Sequence, residues 1–134
     1  MKFFAAMLMA VVAGLGTVRA EDTTFPNITH DELTKAIKAK KVVLLDANGS
    51  ESYKSGHIPL SVDFEKVEKD TKDLAKKLPE DKSTLIVAYC ANERCSAYRT
   101  AAKAAKDLGY TNIKHYAKGI NGWKAAGGKI EKAE

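Results

Sequence analysis

Two cysteines stand five positions apart in the stretch YCANERCSAYRT, residues 89–100. Cys90 closes an apolar run and Cys95 sits just ahead of an Ala-rich helical pattern. A thiol at such a strand-to-helix turn has three chemical fates. It is a nucleophile where the turn's amide N–H groups and the following helix N-terminus stabilise an anion and lower the thiol pKa. It is half of a disulfide where a partner lies within bridging distance, although a bridge from Cys90 to Cys95 closes a very small loop and removes little unfolded-chain entropy. It is an inert core residue where it only packs. Arg94 in the turn and Arg99 in the first helical turn add positive charge, and Ser96 is expected to cap the helix.

The elements that must position this turn are legible from local pattern. Thr29 followed by Glu32 is a capping box, with Leu33, Ala36 and Ile37 on one helical face. VVLLD, 42–46, is a continuous apolar run ending in Asp, which predicts a strand buried on both faces of a parallel sheet. A short helix is expected over 50–55, stopped by Gly56 and by Pro59 beyond it, then a brief strand at SVDF, 61–64. One or two surface helices fill 65–78, ended by Pro79. STLIVAYC, 83–90, is the most apolar strand and so the central one. A helix from Ser96 to Leu108 closed by Gly109, a strand at NIKHY and a last short helix around Trp123 complete the order. Strands alternating with helices predict an α/β fold, a parallel sheet covered on both faces, and in such sheets sites gather at the carboxyl ends of the strands, where Cys90 falls.

The first twenty residues read differently. Lys2 precedes an apolar stretch from Phe3 to Leu15, too short to span a bilayer comfortably, and Val18-Arg19-Ala20 has the small-x-small form of a cleavage site. Residues 1–20 are therefore expected to be a removed secretory signal, and residues 21–134 a single domain, exported to the periplasm or secreted and not membrane-bound after signal removal. The formal net charge of +5 includes Lys2 and Arg19, and the other lysines are scattered among acidic residues. Such a balance excludes nucleic acid as an expected partner.

The strings LLDANGSESYKSGHIP, IVAYCANERCSAYRTAAKAAKDLGY and IKHYAKGINGWKAAG resemble the rhodanese family across residues 28–128. The matching parts are Asp46, Tyr53, Gly56-His57-Ile58-Pro59, Tyr89-Cys90, Ser96, Leu108-Gly109-Tyr110, Gly119-Ile120 and Trp123 before Gly127. The resemblance implies a five-stranded parallel sheet with helices on both faces and a sulfurtransferase. In that chemistry Cys90 attacks the outer sulfur of an anionic donor such as thiosulfate, becomes a persulfide, and gives the sulfur to a thiol or cyanide. The resemblance also implies that the loop amides of Ala91, Asn92, Glu93, Arg94, Cys95 and Ser96 cradle the persulfide, with Arg94 drawing in the donor. Asp46, His57 and Arg99 are supporting residues. No metal or organic cofactor is implied, and a monomer is expected.

The departures from the family pattern are specific. Glu93 stands where many members carry Gly, and its charge is expected to raise the Cys90 pKa and repel thiosulfate. The family's Asp-x-Arg is Asp46-Ala47-Asn48, so one Arg is missing. Leu60-Ser61 replaces the usual Gly-Ala after Pro59, a lesser change. Cys95 inside the loop makes it a candidate resolving thiol. Two rival functions stay open beside sulfur transfer: a dithiol redox protein using Cys90 and Cys95, and a non-catalytic rhodanese-like module. A phosphatase is excluded by spacing, since the sixth position after Cys90 is Ser96 where an oxyanion-clamping Arg is required. His30 and His115 are read as satisfied surface or edge residues, and His57 as structural.

Overall fold

The computed structural model describes residues 24–133, so the secretory signal expected at 1–20 lies outside the described residues. The chain runs α1 (His30–Lys38), β1 (Val42–Asp46), α2 (Ser50–Ser55), β2 (Ser61–Asp63), α3 (Phe64–Val67), α4 (Thr71–Lys77), β3 (Leu85–Tyr89), α5 (Tyr98–Asp107), β4 (Ile113–His115) and α6 (Gly119–Ala125). All strand pairings are parallel and the order is β2-β1-β3-β4. The α/β sheet is therefore as expected, and β3 lies in its interior between β1 and β4.

Local chemistry accounts for the starts of the helices. Thr29 Oγ1 accepts the Glu32 N–H at 3.2 Å while Glu32 Oε2 accepts the Thr29 N–H at 3.3 Å, the reciprocal box that opens α1. Asp70 caps α4 by accepting the Lys72 N–H at 2.8 Å. Helix α5 buries Tyr98, Ala101, Ala102 and Ala105, positions that share one face at helical spacing. The alanines let the helix lie close on the sheet.

Four strands are paired among the described residues where five were expected. The place of the fifth is taken by residues 26–28, which run alongside β4 with one bridge, Asn27 to His115. His115 N–H donates to Pro26 O at 2.8 Å and Ile28 N–H to His115 O at 2.9 Å. Pro26 has no N–H with which to continue the ladder, so this edge stays a bridge.

Alternation along the strands sorts the core into two halves. Leu45, Ile86, Ala88 and Cys90 face one way, against α3, α4 and α5. Leu44, Val87 and Tyr89 face the other way, with Leu33 of α1 and Ile120 and Trp123 of α6. A one-residue slip of β3 would exchange Tyr89 and Cys90 between faces, and the buried apolar residues on both sides forbid it.

Leu60 is a local exception. Its φ is 65°, in the left-handed region, and it is an exposed large hydrophobic residue at 39 % relative exposure. Its carbonyl nevertheless accepts the Leu44 N–H at 3.1 Å and starts the β1–β2 ladder. The replacement of Gly by Leu60 is thus more than a lesser change, because a side chain there costs backbone strain. Leu60→Gly is expected to raise stability by about 1 kcal/mol, the strain relief exceeding the added unfolded-state entropy. An unchanged or lower urea midpoint would contradict this.

Candidate active site

Cys90 immediately follows β3, and its side chain is 1 % exposed within the α5-side core. Two backbone contacts fix the start of the loop: Ile120 N–H donates to Cys90 O at 2.9 Å, and Asn121 N–H to Ala91 O at 3.0 Å. Gly119 makes this approach feasible. Its φ is 60°, and a Cβ there would stand 2.5 Å from Cys90 O.

The donors on the sulfur come from the far end of the loop. Tyr98 N–H donates to Cys90 Sγ at 3.0 Å, and the Ala97 N–H also bonds the sulfur. Of the loop amides expected to form the cradle, those of Arg94 and Cys95 are engaged elsewhere. Arg94 N–H donates to Asn92 Oδ1 at 2.9 Å and Cys95 N–H to Asn92 O at 3.2 Å, so Asn92 folds this stretch into a turn of its own. Ser96 is not the cap: α5 opens after Ala97, without a side-chain cap, two residues later than expected. The later start carries the Tyr98 N–H over the sulfur.

The electrostatic outcome is opposite to the expected lowering. The Cys90 thiol is pushed up to about 12, first by burial and next by a hydrogen bond to the Cys95 thiol, with negative charge on Cys95 adding to the effect. The Tyr98 and Ala97 amides pull the other way and lose. Glu93, expected to raise this pKa, is not among the groups acting on the sulfur. It is exposed and lines a surface hollow of about 510 Å³ with Asn92, Arg94, Lys118, Asn121 and Gly122. Arg94 is exposed and lines this hollow with Lys118, and it is not among the groups acting on the thiol. Cys95 is half-buried against the α5-side core, and both cysteines are free thiols.

Tyr98, missed in the sequence, organises the helix start. Its ring stacks on His115 of β4 with centroids 3.3 Å apart, and Arg99 Nε donates to its hydroxyl at 3.3 Å. Burial, and next the Arg99 charge, lower His115 to about 4. Arg99 thus acts on Tyr98 and His115 and does not contact the sulfur. The alternation that buries Ala88 could have revealed the face of Cys90, but nothing local in the sequence marks Tyr98 as its donor.

Asp46 and His57 lie elsewhere. Asp46 pairs in register with Tyr89, on the sheet face opposite Cys90. Tyr89 hydroxyl donates to Asp46 Oδ2 at 2.6 Å and accepts the Ile58 N–H at 3.1 Å, while Asn48 N–H donates to Asp46 Oδ1 at 2.9 Å. The His57 ring stacks on Tyr53 at 3.8 Å, and its Nδ1 lies 2.8 Å from Tyr53 O. These groups brace the turn after β1 and the segment before β2.

A family model for the rhodanese-like domain matches residues 29–126. The chain belongs to the rhodanese-like domain family. It is 33 % identical over 100 residues to an HTH-type transcriptional regulator of Mycobacterium tuberculosis, a match covering 75 % of this chain and 42 % of that protein. The chain thus spans about two-fifths of that relative's length. Among solved structures, a protein of Bacillus halodurans superposes with a TM-score of 0.66 at 26 % identity, covering 80 % of this chain and 77 % of the other. The rhodanese-like domain of an Anabaena protein gives 0.60 at 21 %, covering 82 % and 81 %. The thiosulfate sulfurtransferase of Pseudomonas aeruginosa gives 0.58 at 22 %, covering 82 % of this chain and 21 % of that one.

Two outcomes follow from this geometry. Cys95→Ala removes two of the influences that raise Cys90, so iodoacetamide should alkylate Cys90 several-fold faster at pH 8, with the rate profile shifted to lower pH; an unshifted profile would contradict the contact. His115, lowered in the fold from its ordinary value near 6.5, favours the neutral form, so the unfolded chain takes up protons first. Stability is then full above about pH 6.5 and falls as pH drops toward about 4. Denaturation midpoints of His115→Gln should fall less over that window than those of the parent.

Proposed function

We propose that this protein is a sulfurtransferase that carries sulfane sulfur on Cys90, taking it from a small anionic donor such as thiosulfate or a persulfide and giving it to a thiol or cyanide. The observation that carries this reading is the Cys90 sulfur at the carboxyl end of β3, receiving the Tyr98 N–H at the start of α5 in a rhodanese-like domain. The name of the Pseudomonas aeruginosa relative is in keeping with it, although at 22 % identity that likeness speaks to fold alone.

The chemistry divides between two states of the loop. In the closed state the thiol is 1 % exposed and burial raises its pKa, so Cys90 rests as the protonated thiol at neutral pH. Residues 91–97 must open for a donor to reach the sulfur, and opening lifts the burial that raises the pKa. The Tyr98 and Ala97 amides then act on a more solvated thiol, and Arg94 with Lys118 flank the approach of an anion. Once the donor's S–S bond breaks, sulfite leaves with the electron pair and the outer sulfur remains on Cys90. Reclosure shelters the persulfide from water and stray thiols. The roles of residues 91–96 are those of a gate whose backbone is set by Asn92, and Asp46 and His57 act at a distance as positioning residues. Residues 1–20, as a secretory signal, would place this chemistry outside the cytoplasm.

The raised pKa favours one competing reading, a rhodanese-like module that binds without catalysis. Incubation of the reduced protein with thiosulfate, or with glutathione persulfide, separates the two by intact mass. Sulfur transfer requires a gain of about 32 Da, or a product derived from it, that Cys90→Ser does not acquire. Unmodified protein with both donors, and no sulfite from thiosulfate, would leave the binding module as the surviving reading.

A further inference from the structure

A hollow of about 470 Å³ lies on the sheet face opposite the Cys90 sulfur, between α1, the segment leading into β2 and the chain after α6. We propose that it binds an amphipathic monoanion of the medium-chain carboxylate class, with the apolar chain against Leu60 and the carboxylate among Lys38, Lys40 and Lys129.

The hollow has the size of a small-molecule site, and Ile37, Pro59, Leu60 and Trp123 give it apolar walls. Leu60 and Lys40 are the two non-glycine residues with positive φ among the described residues, at 65° and 54°, and both line it. Leu60 is also the exposed large hydrophobic residue of the described chain. Folding gains little from a side chain that is neither relaxed nor buried, and backbone strain of this kind gathers where a ligand is held. A covering ligand would take from water the apolar surface that the fold leaves open.

Charge selects the ligand. Lys38, Lys40 and Lys129 stand around the hollow against one acid, Glu131. None of the three lysine side chains has an ion pair or a hydrogen bond among the described residues. The uncharged polar groups are already engaged. Thr34 hydroxyl donates to His30 O at 2.8 Å, Trp123 Nε1 donates to Lys129 O at 2.8 Å, and His30 Nδ1 lies 3.2 Å from the Tyr116 hydroxyl. A ligand therefore meets ammonium groups beside apolar walls, a combination that complements one negative charge on an apolar body and repels a cation.

Trp123 is the one tryptophan of the sequence, so tryptophan fluorescence reports on this hollow. The full chain is titrated with octanoate and, separately, with octylammonium. Octanoate should give a saturable change, and octylammonium should bind about tenfold more weakly. Lys40→Asn removes a charge and Leu60→Asn an apolar contact, while asparagine suits the left-handed backbone at both positions, so urea midpoints should stay at or above the parent's. Octanoate should bind about threefold more weakly to the first variant and about fivefold more weakly to the second. Absence of saturation, equal binding of octylammonium, or unchanged octanoate affinity in both variants overturns the site. A parent dimer that Leu60→Asn renders monomeric overturns it as well, since a second copy of the chain is then the occupant.

Discussion

Cys90 is held at both of its ends, and the rest of the site depends on that. Its carbonyl accepts the Ile120 N–H of α6 and its sulfur accepts the Tyr98 N–H of α5. The two helices follow β4 and β3 respectively, so one residue joins the strand end to elements on opposite faces of the sheet. Gly119 permits the first contact through its positive φ and missing Cβ, and the Tyr98–His115 stack steadies the second. Between these anchors, residues 91–97 form a loop without regular secondary structure, a segment whose opening need not disturb the sheet.

The opposite face carries a different constraint. Asp46 is 1 % exposed, and burial raises its pKa although Tyr89 and Asn48 both donate to it. Directly across the β1–β2 ladder lies Asp63, also buried, with neither carboxylate oxygen hydrogen-bonded. An acidic pair in register needs a cation or a shared proton to be comfortable. The family's Asp-x-Arg would supply a guanidinium two residues after Asp46, and this chain has Asn48 there. Tyr89 is left as the principal tie: its hydroxyl reaches Asp46, Ile58 and Ser61, joining β3 to β1, the segment after α2 and the start of β2. Tyr89 and Cys90 are therefore consecutive residues with separate duties, one bracing the sheet and one presenting sulfur.

How much of this was legible in the sequence follows from the range of each interaction. Capping boxes, apolar runs and glycine stops act over a few residues, so α1, α2 and β1 fall where local pattern puts them. The fifth strand failed because a single proline at 26 removes the N–H a longer ladder needs. Ser96 carried a sound capping signal, yet α5 starts at Tyr98, where packing of the Tyr98 ring on His115, seventeen residues on, outweighs one side-chain cap. The direction of the Cys90 pKa was illegible for a similar reason. The field of the loop and helix is a local quantity, but burial under α5 and contact with Cys95 arise only when the chain has closed, and they win. Glu93 is close in sequence, yet it is exposed and is not among the groups acting on the sulfur.

Dithiol redox chemistry and sulfur transfer stand as rivals when only the spacing of two cysteines is known. Both cysteines are free thiols at the α5-side core, Cys90 sealed within it and Cys95 half-buried against it. Sulfur transfer through Cys90 would need the loop open, since a donor must reach a sulfur that is otherwise sealed. A thiol whose pKa burial raises in the closed state suits a carrier: resting Cys90 stays protonated and resists oxidation, whereas a persulfide, a stronger acid than the thiol, keeps its charge nearer neutral pH and can accept the Tyr98 N–H. The same burial that argues against Cys90 as a resting nucleophile thus favours it as a carrier.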